Sequence, residues 1–135
     1  MAVVKELIKN TDDGLCFGDY TLDTKTKLED YNVSGNLYKV KTFKELTKLE
    51  KDGMFVYESE PGTSVASYKM SDNGVSFVVS GNDDAMITVG LKEDTEYNVT
   101  VSDKNIGKIK TGVSGKLSFS VGLEGKGEVA VKIEQ

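Results

Sequence analysis

The sequence contains no histidine, no tryptophan and no arginine, so all 17 of its cationic side chains are lysines. Without imidazole there is no Ser-His-Asp triad, no Cys-His pair and no histidine-ligated zinc or haem, since each needs a group that ionises near neutral pH. Without guanidinium there is no bidentate fork for a carboxylate or phosphate, so an anion site would rest on lysine point charge or backbone N–H groups. Cysteine is almost as scarce. Cys16 stands alone, which excludes an intrachain disulfide. It has neither a base partner nor a positive cluster beside it, and it reads as a small apolar core residue. No stretch approaches the roughly 18 apolar residues of a membrane span. Met1 to Asn10 carries Lys5, Glu6 and Lys9 and lacks the apolar h-region of a signal peptide, so a cytoplasmic location is expected.

The 135 residues suffice for one domain, or for two small lobes sharing a seam. With 38% hydrophobic and 29% charged residues the chain falls among soluble globular proteins. Its net charge of −5 repels a phosphate backbone, so neither nucleic acid nor an anionic membrane surface is an expected partner.

Three turn signals share one form: Asp13-Gly14-Leu15, Asp52-Gly53-Met54 and Asn73-Gly74-Val75. Such pairs supply the positive φ angles of tight hairpins. Between them lie runs rich in β-branched and aromatic residues at Val3 to Ile8, Leu15 to Leu22, Leu37 to Phe43, Met54 to Glu58, Val75 to Val79 and Met86 to Leu91, which predict strands. Alternation is cleaner later, at Tyr97 to Val101, Leu117 to Val121 and Val129 to Ile133, where one face is buried. Thr42 to Asp52 differs. Thr42 and Glu45 have capping-box spacing and Phe43, Leu46 and Leu49 recur at helical intervals, so a short helix is expected. The competing reading makes Leu46 to Glu50 the first arm of a hairpin turning at Asp52-Gly53. The only proline, Pro61, marks a change from Lys, Tyr and Asp to Ser, Val and Gly, and the chain is divided there into residues 1–61 and 62–135. The expected fold is all-β: an antiparallel β-sandwich preceded by a small β-rich lobe.

Leu91-Lys92-Glu93-Asp94-Thr95-Glu96-Tyr97-Asn98-Val99-Thr100-Val101 has the spacing Leu-x3-Thr-x-Tyr-x-Val-x-Val. It resembles the turn and strand of fibronectin type III domains, a resemblance that implies an immunoglobulin-like sandwich in which the Tyr97 hydroxyl bonds backbone upstream. The family's early tryptophan and its prolines are missing here. The tail from Asp103-Lys104-Asn105, taken as a hairpin tip, through Phe119 and Val121 is similar to accessory β-sandwich domains of carbohydrate-active enzymes. Through Phe17-Gly18-Asp19-Tyr20-Thr21-Leu22-Asp23-Thr24-Lys25 and Tyr38-Lys39-Val40-Lys41-Thr42-Phe43-Lys44-Glu45, the whole chain also resembles small bacterial proteins called endosialidase catalytic beta chain. Sialidases grip the substrate carboxylate with clustered arginines, which this sequence lacks, so that activity does not follow from the resemblance.

Paired carboxylates could serve glycoside hydrolysis. The visible pairs are Asp12-Asp13, Asp83-Asp84 and Glu58-Ser59-Glu60. The first two lie in turn sequences, where Asp bonds local backbone, and the third fits a solvated strand edge. Asp103-x-Asn105-x-Gly107 starts like a calcium loop but lacks the glycine at the sixth position and the bidentate Glu at the twelfth. No catalytic residue, metal site or cofactor is expected. Aromatic rings bind sugars and anchor protein interfaces, which leaves Tyr20, Tyr31 and Tyr38 as candidate binding residues, with the loop Thr24 to Asn36 as the candidate surface. The function expected is that of a non-catalytic accessory or assembly protein that binds a protein partner, most simply as a homo-oligomer. The alternative is a module binding a neutral glycan, or a non-catalytic subunit of a glycan-degrading enzyme.

Overall fold

The computed structural model describes residues 3–135, and they form thirteen β-strands in two antiparallel sheets, with no helix among the described residues. The strands are β1 (Ile8–Thr11), β2 (Gly14–Phe17), β3 (Thr26–Val33), β4 (Asn36–Phe43), β5 (Leu46–Lys51), β6 (Met54–Glu60), β7 (Ser64–Ser71), β8 (Gly74–Ser80), β9 (Ala85–Gly90), β10 (Glu96–Val101), β11 (Lys104–Lys110), β12 (Lys116–Val121) and β13 (Val129–Glu134). One sheet has seven strands in the order β1-β2-β7-β8-β13-β10-β11, and the other six in the order β12-β9-β6-β5-β4-β3. The three Asx-Gly signals all sit at hairpins. Asp52 and Gly53 both have positive φ at the β5–β6 turn, whereas Gly14 and Gly74 open the returning strand. Glycine is required at 74 because a Cβ there would collide with the Ile133 carbonyl of β13.

The expected helix at Thr42 to Asp52 is replaced by a hairpin. Phe43 pairs with Leu46 across Lys44-Glu45, and β5 runs between β4 and β6. Thr47 and Leu49 are fully buried while Leu46, Lys48 and Glu50 face outward, which is period two. The helical spacing of Phe43, Leu46 and Leu49 was coincidental, for the first two are cross-strand neighbours on the outer face and Leu49 lies in the core. Two strand expectations also shift. The Val3 to Ile8 run is largely a turn, with Leu7 at φ 74°, and the strand begins at Ile8. Beyond Phe17 the Leu15 to Leu22 run leaves the sheet.

The composition change at Pro61 marks a passage between sheets and no boundary between cores. Residues 1–61 and 62–135 both contribute to each sheet, through β2 paired with β7 in one and β6 paired with β9 in the other. One buried cluster spans the halves. At its centre Phe17 of β2, Tyr57 of β6 and Phe77 of β8 meet edge to face, with centroids 5.2 Å (Phe17–Tyr57) and 5.7 Å (Tyr57–Phe77) apart. Such pairs add about 0.5–1.5 kcal/mol each beyond the area they bury.

Beside this cluster the core carries a network of hydrogen-bonded hydroxyls. The Thr47 hydroxyl accepts from Thr63 N–H at 3.1 Å and donates to the Thr63 carbonyl at 2.8 Å. The Thr63 hydroxyl in turn contacts the Tyr57 and Ser59 hydroxyls at 2.8 and 2.7 Å. Burial pushes the phenols of Tyr57 and Tyr68 far above their ordinary range, so both stay protonated.

Candidate interaction surface

The candidate binding tyrosines point mostly inward. Tyr38, on β4, is buried, and burial with the neighbouring Asp52 carboxylate raises its phenol above its ordinary value. Tyr31 lies directly across from it on β3, packs against the core, and accepts a hydrogen bond from Asn10 N–H at 3.1 Å. Tyr20 follows β2, outside the strands, and is half-buried. The structure therefore brings Tyr31 and Tyr38 together as core-facing partners. The segment Thr24 to Asn36, expected as a loop, is mostly strand β3 on the edge of the six-stranded sheet. A bulge between Leu28 and Tyr31, with Asp30 at φ 57°, interrupts its alternation.

The carboxylate pairs have structural settings. Asp12 and Asp13 form the β1–β2 turn. Asp84 accepts from the backbone N–H of Leu123 at 2.9 Å and of Glu124 at 3.3 Å, tying the start of β9 to the loop after β12. Glu58 and Glu60 share the outer face of β6 beside a concavity of about 150 Å³ that Met86 and Thr88 also line. Glu60 is exposed there, whereas a glycosidase acid is held away from water. No group of three or more His, Cys, Asp or Glu among the described residues is placed to hold a metal ion. Cys16 is buried on β2. Asp103 sits with Ser102 in the β10–β11 turn, both at positive φ, and Asn105 accepts from Gly107 N–H on β11 itself. The Tyr97 hydroxyl, expected to bond upstream backbone, accepts from Lys92 N–H at 3.2 Å.

The most organised surface feature is one that the sequence did not reveal. Across the outer face of the six-stranded sheet, Lys27, Lys41, Lys48, Glu58, Thr88 and Ser118 are successive cross-strand partners, one from each strand. Three lysines thus stand directly opposite one another on β3, β4 and β5. Like charges so placed are mutually destabilising, by roughly 0.2–1 kcal/mol a pair. Relief is partial: Glu29 lies 3.2 Å from Lys27 and 3.6 Å from Lys39, and these lysines hold its carboxyl below the usual range. Among the described residues Lys41 and Lys48 make no ion pair. The far end of the row is neutral, with the Thr88 and Ser118 hydroxyls 2.7 Å apart.

The signal that could have found this row is hairpin symmetry. Once Lys44-Glu45 is taken as a turn, Lys41 falls opposite Lys48, and reading the segment as a helix hid it. Two larger concavities are open to solvent. That of about 310 Å³ lies on the outer face of the seven-stranded sheet, beside Ser67, Val78 and Ala130, and that of about 250 Å³ lies between Asp30, Tyr38 and Asp52. Comparison of the chain with known protein families, with curated proteins and with solved structures finds no match.

Proposed function

We propose that this chain is a non-catalytic assembly or accessory protein that presents sheet surfaces to protein partners, further copies of itself included. The observation that carries this reading is the lysine row. Lys27, Lys41 and Lys48 are aligned on a broad sheet face; Lys27 is paired with Glu29 and Lys48 stands opposite Glu58, but Lys41 between them makes no ion pair among the described residues, so part of the like-charge cost remains and is relieved when a carboxylate of a partner docks there. A second copy is itself such a partner, since each chain carries 22 Asp and Glu. The settings of the carboxylate pairs support the absence of catalysis: Asp84 is committed to backbone, and Asp12 and Asp13 to a turn. The buried Tyr38 and the Tyr31 ring packed against the core favour protein over sugar as ligand, since stacking on a sugar needs a free ring face. The test is light scattering after size exclusion over a range of protein concentration, beside a glycan array. The expected result is a mass above 14.7 kDa that grows with concentration, with a blank array. A strict monomer with a specific sugar hit would reverse the reading.

A further inference from the structure

We infer that two copies of this chain join edge to edge by antiparallel pairing of β12 with β12, which would make one continuous sheet of their two six-stranded sheets. The inference rests on the self-association proposed above and places a contact at the opposite edge of the sheet from the lysine row, which such a pairing leaves free for another partner. Two sheets leave four edge strands, β1, β11, β12 and β3. A free edge offers unpaired N–H and C=O groups to any other strand, and proteins blunt such edges with shortness, bulges, inserted charges or cover. Three of the four are blunted. Strand β1 has four residues, and the Tyr31 hydroxyl already occupies its Asn10 N–H. In β3 the bulge with Asp30 at positive φ lies beside the charged Lys27 and Glu29. Strand β11 carries Lys104, Lys108 and Lys110, and its register slips opposite Val99 and Thr100.

Strand β12 is the least blunted of the four. It pairs with β9 through six consecutive residues without a shift, contains no proline, and has Lys116 as its only charge. Its outward side chains after Lys116 are Ser118 and Ser120, while Leu117, Phe119 and Val121 are buried within the chain itself. The strand is also compatible with its own copy. A two-fold axis through Ser118 or Phe119 sets inner residues against inner and outer against outer. It places Lys116 opposite Ser120 or Gly122 of the other copy, so no like charges meet. Because the remaining edges are blunted, such an assembly closes at two copies.

The test gives β12 the device that β11 already has. In Ser118→Lys/Ser120→Lys both changes fall on exposed outward positions, so the core is untouched. Far-ultraviolet circular dichroism and the denaturation midpoint check folding. Light scattering is expected to show the unaltered chain near twice 14.7 kDa and the lysine variant near 14.7 kDa, with the dissociation constant raised more than tenfold. Ser118→Glu/Ser120→Glu alone should also be monomeric, and an equimolar mixture of the two folded variants should recover the dimer. A lysine variant that associates as well as the unaltered chain would overturn the β12 pairing and leave the proposed self-association standing. An unaltered chain that is monomeric at every concentration would overturn both.

Discussion

The two ends of the six-stranded sheet are built differently. At one end β3 is bulged, charged and exposed along most of its length, and at the other β12 alternates without interruption between buried apolar and exposed small residues. The outer row of side chains changes in the same direction, from three facing lysines to a hydrogen-bonded Thr88–Ser118 pair. The contrast teaches that an edge can be protected at the cost of local regularity, and that a regular edge is an invitation to pair. It also separates what each end contributes: β12 adds to the core, whereas β3 adds mainly charge.

Substitutions that probe this contrast differ widely in expected size. Phe119→Ala, in β12, should cost about 3–5 kcal/mol, the usual range for emptying a buried aromatic site, whereas Leu28→Ala on the partly exposed β3 should stay within about 1 kcal/mol. Denaturant midpoints at constant slope measure both. Equal costs at the two ends would break the comparison. Between the ends lies the Thr47–Thr63 contact, where Thr47→Val leaves the buried Thr63 N–H without its partner. That should cost about 1–3 kcal/mol, and a cost near zero would mean that the hydroxyl network is dispensable. In the seven-stranded sheet Tyr97→Phe removes only the bond from Lys92 N–H, and about 0.5–1.5 kcal/mol is expected.

The smallest effect has the opposite sign. Lys41→Gln removes the middle charge of the row and should stabilise the isolated chain by about 0.2–1 kcal/mol, with the gain shrinking as salt is added. The Glu29 carboxyl gives the row a pH signature. Held below its ordinary value by Lys27 first and Lys39 second, it favours the folded state above the unfolded-chain value and loses that contribution as pH falls through its own lowered one. An NMR titration should find Glu29 below the usual glutamate range and moving upward in Lys27→Gln.

The same contrast decided what could be read from the sequence. Leu117, Phe119 and Val121 announce β12 because an edge strand packed on one side still alternates. Strand β3 resembles a loop in sequence because the bulge at Glu29-Asp30 breaks period two and because its side chains are too exposed to need apolar residues. Strand β5 imitated a helix because Phe43 and Leu46, on opposite sides of a two-residue turn, happen to stand three apart. Tyr31 and Tyr38 looked available because the polar residues around them are the outward half of an alternation whose inward half they are. The lysine row was hidden for another reason. Lys27, Lys41 and Lys48 are neighbours only through the registers of two hairpins, and neither is visible while Thr24 to Asn36 reads as a loop and Thr42 to Asp52 as a helix.

Amide hydrogen exchange followed at low and at high protein concentration tests the central claim most directly, because it reports each edge strand separately. Pairing through β12 requires added protection at high concentration within Lys116 to Val121 and none in β3 or β11. Exchange in β12 that is independent of concentration, or protection gained at β3 or β11 instead, would contradict it.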